Sequence, residues 1–162
     1  MAEKAEAVTT TEWDTWRSFR SMQRQLDLAL ERQLQRDADI SAADYGVLVA
    51  LLNAPGKQLR GRELGEELAW EKSRISHQVS RMEKRGLVER RECETDARGT
   101  WIGITPDGSR AVLGATREHA TNLRKYFFDI LSDDELAAIR AVSDRVLDVL
   151  RPDNCTEEPA EN

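Results

Sequence analysis

The side chains between Lys72 and Lys84 are of the types that bind nucleic acid. Ile75, Val79 and Met82 are spaced as the buried stripe of a helix. If they face the core, the other side of that helix presents eight hydrogen-bonding residues, namely Lys72, Ser73, Arg74, Ser76, His77, Ser80, Arg81 and Lys84. Arginine can donate two hydrogen bonds to guanine, and serine and histidine can bond to base edges or phosphates. This face therefore indicates a helix that reads bases in the major groove of DNA.

The position of each residue along this helix suggests its role. The N-terminal part of a recognition helix usually reaches deepest into the groove, so we expect Arg74 and His77 to read bases. We expect Lys72 and Lys84 to contact phosphate, which gives affinity without sequence information. Four further residues are expected either to read bases or to position the helix: Ser73, Ser76, Ser80 and Arg81. The alternative is an ordinary solvated surface helix, but its only acid is Glu83.

A second group of candidate residues lies on a predicted hairpin. Leu87–Arg91 and Thr100–Thr105 are expected to be strands, and the polar run between them carries Asp96, Arg98 and Gly99. Arg98 at the tip can enter a minor groove, where a narrow A·T tract concentrates negative potential. Gly99 permits the tight turn, and Asp96 is expected to pair with a nearby arginine and fix the loop. The hairpin is thus predicted to act as a basic wing.

Local signals predict where the helices that position these residues begin and end. Capping boxes are expected at Ser41 with Asp44 and at Ser132 with Glu135, and Thr11 with Asp14 gives a third helix start. Thr105 precedes Pro106, which suits the first position of a helix. A helix is expected to stop at Asn53-Ala-Pro-Gly56, and another at Gly86. The predicted order is four helices, a hairpin and two more helices.

The spacing of apolar residues predicts which side of each helix is apolar. The first carries Trp16, Phe19, Gln23, Leu26, Leu30 and Leu34. The second is expected to bury Tyr45, Leu48, Val49 and Leu52, and the short third to bury Leu64 and Leu68. The fifth is expected to run through Val112, Ala115, His119, Leu123, Tyr126, Phe127 and Ile130. The sixth carries Leu136, Ile139, Val142, Val146 and Leu150.

The resulting fold class is mainly α, a winged helix-turn-helix of about six helices and a short β-hairpin. Residues 1–10 and the acidic tail 152–162 are expected to be disordered, and residues 11–151 to form one domain. Within it, residues 41–105 would be the DNA-binding lobe. The terminal helices, residues 11–36 and 106–151, would form a dimerisation region, because they carry more apolar surface than a small winged helix needs.

Charge is unevenly distributed along the chain. The protein carries 24 Lys and Arg against 30 Asp and Glu, a net charge of −6, which alone argues against a polyanionic partner. Between residues 71 and 91, however, there are 7 basic and 3 acidic residues. Arg90 and Arg91 in this region could flank a phosphate or simply be exposed beside Glu89 and Glu92. The basic excess thus coincides with the predicted helix-turn-helix.

The sequence from Leu64 to Gly108 resembles the winged helix-turn-helix of the MarR family of bacterial transcriptional regulators. The matching features are the run RMEKRGLVERR, then Asp96-Ala-Arg98-Gly99, then Ile104-Thr105-Pro106-Asp107-Gly108. The resemblance implies a homodimer that represses transcription by binding a near-palindromic operator in double-stranded DNA and is released by a small ligand. Ala97 departs from the family, where many members carry a second basic residue beside the wing arginine.

A boundary lined by aromatic side chains, between the dimerisation helices and the DNA-binding lobe, would be a natural place for a ligand pocket. Trp16, Phe19, Arg20 and Tyr45 are the candidate ligand contacts, with Arg20 suited to an anionic aromatic compound. The alternative, which we favour, is that these residues belong to the dimer core. Whether the protein represses or activates depends on where its operator lies, which the sequence leaves open.

Other functions are less well supported by the residues present. We find no phosphate loop, no metal-ligand spacing and no nucleophile–base pair, so we expect neither an enzyme nor a cofactor. The N-terminus lacks a signal-peptide core and no apolar run is long enough to span a membrane, so we expect a cytoplasmic protein. Two alternatives remain: a winged helix that binds only protein, and a redox-responsive regulator that uses Cys93. The glutamates beside Cys93 disfavour its thiolate, and Cys155 is expected to have no role.

Overall fold

The structure is a computed structural model that describes residues 7–92 and 100–150, where the chain forms six α-helices and a three-stranded antiparallel sheet. The helices are α1 (Thr10–Ala38), α2 (Ala42–Asn53), α3 (Gly61–Leu68), α4 (Lys72–Lys84), α5 (Pro106–Tyr126) and α6 (Asp133–Leu150). The strands are β1 (Gln58–Arg60), β2 (Val88–Glu92) and β3 (Thr100–Ile104). The chain divides into two compact units, one ending at Asn122 and the other beginning at Leu123. The mainly α fold class is confirmed.

Helix α1 begins two residues earlier than the sequence suggested. Thr9, not Thr11, is the cap: its backbone N–H donates to Glu12 Oε2 at 2.7 Å, and the Glu12 N–H donates to Thr9 Oγ1 at 3.3 Å. The expected partner, Asp14, instead pairs with Arg17. Thr9 and Glu12 have the Thr-x-x-Glu spacing of a capping box, and both of its reciprocal hydrogen bonds are present.

Helix α2 is capped as expected but buried more widely than expected. Of its predicted apolar face only Leu48 is fully buried, and the other three residues are half-buried. Val47 and Leu51, which the predicted face omitted, are fully buried. This helix lies at the centre of the first unit, where several neighbours cover it, so its apolar residues do not follow a single stripe.

The strand β1 was not predicted. It pairs antiparallel with the central strand β3, and β2 pairs with the other edge of β3. Arg60 lies opposite Trp101, and its guanidinium carbon is 5.0 Å from the centroid of the Trp101 ring. Three residues are too few to show a strand's alternation in sequence, and only the pairing with β3 defines this element.

The junction between the hairpin and α5 is tightly packed. Thr105 Oγ1 accepts from the Gly108 N–H at 3.0 Å and donates to the Gly86 carbonyl at 2.6 Å, which confirms Thr105 as the cap of a helix beginning at Pro106. Gly86 ends α4 with a φ of 71°. A Cβ added at Gly108 would lie 2.1 Å from the Leu87 carbonyl oxygen. Glycine at position 108 therefore allows α5 to approach the backbone just before β2.

In the second unit, α5 ends earlier than predicted. It stops at Tyr126, and Phe128–Ile130 form a 3-10 turn instead of continuing the helix. Phe127 has φ −135° and ψ −64°, which interrupts the α-helical backbone. Ser132 then caps α6 with Glu135, whose backbone N–H donates to Ser132 Oγ at 3.3 Å, as expected. The helical spacing of apolar residues continues through this turn, so the sequence pattern does not reveal where α5 ends.

The described core belongs to the first unit. It joins the end of α1, helices α2 to α4, the sheet and the start of α5 through Leu34, Val47, Leu48, Leu51, Leu64, Ile75, Val79, Met82, Val88, Ile102 and Val112. In residues 7–92 and 100–150, no helix is both long and apolar enough to cross a membrane. The core thus holds α4 against the rest of this unit with its polar face outward.

Candidate nucleic-acid interface

Helix α4 separates its apolar and polar residues as the sequence predicted. Ile75, Val79 and Met82 are buried. Seven of the eight predicted contacts are exposed and the eighth, Ser80, is half-buried. Because α4 begins directly after the turn that follows α3, the three elements form a helix-turn-helix with one face of α4 open to a partner.

Arg74, the predicted base reader, rests on an aromatic ring. Its guanidinium carbon lies 3.9 Å from the centroid of the Trp70 ring. Trp70 is in the turn between α3 and α4 and packs against the core. This cation–π contact holds the guanidinium near the N-terminus of α4.

Arg81 belongs to a polar network that the sequence did not reveal. Its guanidinium donates to Gln78 Oε1, and Gln78 Nε2 donates to Asp44 Oδ1 at 2.6 Å. Arg85 Nη1 donates to Asp44 Oδ2 at 2.7 Å and its Nη2 donates to the Asp39 carbonyl. The network connects α4 with the N-terminus of α2, and its buried members are polar residues that apolar spacing overlooks.

The arginines of β2 are paired rather than simply exposed. Arg90 forms an ion pair with Glu83 and donates to Ser80 Oγ at 2.9 Å. Arg91 Nε donates to Glu89 at 2.9 Å. Glu83 is the one acidic residue of α4, so its pairing with Arg90 reduces the repulsion that it would exert on a phosphate.

The tip of the wing is not part of the described structure. Asp96, Arg98 and Gly99 lie outside residues 7–92 and 100–150, as do Ala97 and both cysteines. The strands on either side are described, and Glu92 pairs with Thr100 at the end of the β2–β3 ladder. The predicted roles of the tip residues remain predictions.

The four predicted ligand contacts fall into two groups. Trp16 and Phe19 are 51% and 45% exposed on α1, with ring centroids 5.9 Å apart. The Arg20 guanidinium carbon lies 5.9 Å from the Trp16 centroid, and its Nη1 donates to Gln23 at 3.0 Å. Tyr45 instead stacks against His119, with centroids 4.6 Å apart.

His119 joins three helices of the first unit. Its Nδ1 lies 3.2 Å from Oε1 of the fully buried Gln33, whose Nε2 donates to Asp37 at 2.8 Å. Because Gln33 presents its oxygen, His119 donates from Nδ1 and keeps Nε2 as the site for a second proton. Burial lowers the pKa of His119. Within the described ranges no group of three or more His, Cys, Asp or Glu is placed to bind a metal.

A cleft of 780 Å³ lies elsewhere in the first unit, between α3, α4 and the sheet. Its apolar wall includes Trp70, Ile75 and Ile102, and its lining also contains Lys72 and Arg90. None of the four predicted ligand contacts lines it. The cleft draws on residues far apart in sequence, so no local pattern predicts it.

Together, the fold and the basic face of α4 define a winged helix-turn-helix protein. The family model for the MarR family matches residues 38–99. The MarR family regulator Sco3205 from Streptomyces coelicolor, solved in complex with DNA, is 32% identical over 93% of this chain and 94% of its own, with a TM-score of 0.89. AbsC, a MarR family regulator from the same organism, is 31% identical over 91% of this chain and 99% of its own, with a TM-score of 0.86.

A further solved structure is PcaV from Streptomyces coelicolor, in complex with its natural ligand. It is 25% identical over 90% of this chain and 98% of its own, with a TM-score of 0.69. Comparison with curated proteins gives no significant match. The chain belongs to the MarR family of transcriptional regulators.

Proposed function

We propose that this protein is a homodimeric, sequence-specific DNA-binding repressor of transcription. The observation that carries the proposal is the face of α4, where seven exposed polar and basic side chains lie opposite Ile75, Val79 and Met82. An α-helix with that face fits the B-form major groove. The similarity to Sco3205, which was solved in complex with DNA, supports the same use of the fold.

The proposed contacts keep the roles that their chemistry suggests. Arg74 and His77 read bases, and Lys72 and Lys84 contact phosphate. Four further residues either read bases or position the helix on the DNA: Ser73, Ser76, Ser80 and Arg81. Arg98 enters the minor groove from the wing, with Asp96 and Gly99 shaping the loop.

The proposed dimer rests on apolar surface that the chain leaves exposed. Helix α1 exposes Trp13, Trp16, Phe19, Met22 and Leu28. Helix α6 exposes Ile139, Val142, Val146, Leu147, Val149 and Leu150. Several large apolar side chains exposed along one helix mark an interaction site. We assign residues 11–36 and 106–151 to dimerisation and residues 41–105 to the DNA-binding lobe, within one domain spanning residues 11–151.

We further propose that a small anionic aromatic ligand releases the protein from DNA. Trp16 and Phe19, which also belong to the proposed dimer surface, offer aromatic faces beside the Arg20 cation, and PcaV was solved with its natural ligand. The protein would act without enzymatic activity and in the cytoplasm, where its DNA target lies.

Fluorescence anisotropy tests the proposed function on labelled duplexes tiled from the intergenic DNA beside the protein's own gene. Binding is measured at two salt concentrations, because phosphate contacts make affinity fall with salt. An Arg74→Ala/Arg98→Ala variant is the control. We expect tight binding to one tile that salt weakens and the double substitution abolishes. Weak binding to all tiles that is unaffected by the substitutions would mean either that the operator lies elsewhere or that the fold serves a protein partner, and a genome-wide selection for bound fragments would separate the two.

A further inference from the structure

Gln78 is a buried polar residue on the helix proposed to read DNA. Its side chain is only 4% exposed, whereas the neighbouring residues His77 and Arg81 are exposed. A buried amide without partners would destabilise the fold, but Gln78 is bonded at both ends. Its Nε2 donates to Asp44 and its Oε1 accepts from Arg81.

The chemistry of these partners fixes the orientation of the Gln78 amide. A carboxylate only accepts and a guanidinium only donates, so the nitrogen must face Asp44 and the oxygen must face Arg81. The amide thereby connects a buried acceptor to an exposed donor. Glutamate at this position would place two carboxylates together, and a hydrocarbon side chain would remove the hydrogen bond to Asp44 Oδ1 and the hydrogen bond from Arg81.

Asp44 is itself held by two further donors and cannot easily turn away. It is 3% exposed, and its Oδ2 accepts from the Ser41 N–H at 2.9 Å and from Arg85 at 2.7 Å. Arg85 also donates to the Asp39 carbonyl. The carboxylate that caps α2 therefore provides a fixed point for α4.

We propose that Gln78 and Asp44 are positioning residues that hold the Arg81 guanidinium in one orientation at the DNA-facing surface. The inference rests on the proposed function and adds to it residues that do not touch DNA. A long arginine side chain loses much rotamer freedom when it binds, and holding it in place before binding removes part of that cost. A purely structural Gln78 would satisfy Asp44 without affecting what Arg81 does.

A double-mutant cycle separates these two roles. The variants are Gln78→Met, which keeps the length of the side chain but removes both hydrogen bonds, Arg81→Ala and the double substitution. The probe is a labelled duplex obtained from a randomised pool by selection on the wild-type protein, and circular dichroism verifies folding. We expect each single substitution to weaken binding about 5- to 30-fold, the effect of losing one good contact.

In the Arg81→Ala background, Gln78→Met should change affinity by less than about twofold, since the two residues act as one unit. Equal effects of Gln78→Met in both backgrounds would overturn the proposal, as would an Arg81→Ala variant that binds like the wild type. If the wild-type protein enriches no duplex, the proposed function itself fails, which is a distinct outcome.

A measurement on the wild-type protein keeps the test open if Gln78→Met does not fold. The ¹⁵N resonances of arginine guanidinium groups are recorded in free protein, with Arg81 assigned by comparison with Arg81→Ala. We expect slow, restricted motion of the Arg81 guanidinium relative to that of the exposed Arg117. Equal mobility of the two groups would contradict a positioned Arg81.

Discussion

At the residue scale, both arginines of α4 contact a neighbouring side chain of their own unit. Arg74 stacks on Trp70, and Arg81 is bonded to Gln78. Each neighbour is anchored in the core, and each arginine is exposed. These long side chains are thus held on the face that we propose contacts DNA.

Arg74→Ala should lower specific DNA affinity by about 1–3 kcal/mol and relax the preference at one base pair, as expected for a bidentate contact with guanine. Anisotropy on the preferred duplex and on its single-base variants measures both effects. Arg117→Ala, an exposed arginine of α5, is the control and should bind normally. An equal loss on every sequence would show that Arg74 contacts phosphate instead.

His119 should make folding sensitive to mild acid. Burial lowers its pKa below the ordinary value of 6.5, so the unfolded chain binds the second proton more readily than the folded chain. The contribution of His119 to the free energy of unfolding is therefore complete above about pH 6.5 and is lost as the pH falls towards the pKa of His119 in the folded protein. Urea unfolding at fixed protein concentration between about pH 5 and 7 measures the free energy of unfolding.

His119→Gln is the matched variant, because its amide can still donate to Gln33 without titrating. It should show a smaller loss of stability over the same pH interval. The same pH dependence in both proteins would exclude His119 as the titrating group.

At the element scale, the approach of α5 to the hairpin depends on the absence of one side chain. A Cβ at position 108 would lie 2.1 Å from the Leu87 carbonyl oxygen and 3.0 Å from a methyl group of Leu48. Neither group can move without displacing the backbone or the core. Gly108 therefore sets the distance between the start of α5 and the wing.

Gly108→Ala should destabilise the fold by about 1–3 kcal/mol, because the added methyl group forces α5 away from the hairpin. Gly114→Ala lies in the same helix with nothing within 4 Å of the added Cβ. It should stabilise the protein by up to about 1 kcal/mol through helix propensity. Chemical denaturation measures both, and a similar effect of the two substitutions would argue against the close approach.

Elements with strong local signals could be predicted from the sequence, and elements defined by distant partners could not. The caps at Ser41 and Ser132 and the helix start at Pro106 are encoded within four residues, and the structure confirms them. The strand β1 exists only through its pairing with β3. The sequence does not distinguish Gln78 from an exposed polar residue, because its partner Asp44 lies 34 positions away.

At the scale of the whole molecule, the net charge of −6 conceals a basic face. Ion pairs in the first unit partly offset the acids closest to that face, as Arg90 does for Glu83. The acidic remainder disfavours binding to nucleic acid in general, so we expect contact with DNA to be confined to the face of α4 and the wing.

Two glutamates in the exposed apolar stripe of α6 should dissociate the proposed dimer. Val142→Glu/Val146→Glu would place two charges in a surface expected to lose water on association. Ala137→Glu, on the opposite side of α6 at helical spacing, is the control and should remain dimeric. Sedimentation equilibrium at micromolar concentration gives the mass, and a wild-type monomer or a dimeric double variant would refute this interface.

The most direct test of the account is selection of DNA from a randomised duplex pool by the wild-type protein, followed by sequencing. Two copies of α4 related by a two-fold axis should enrich a near-palindrome whose half-sites are centred about 10–10.5 base pairs apart. Arg74→Ala should lose the preference at one position in each half-site. A pool that remains random after repeated rounds would contradict DNA reading by α4.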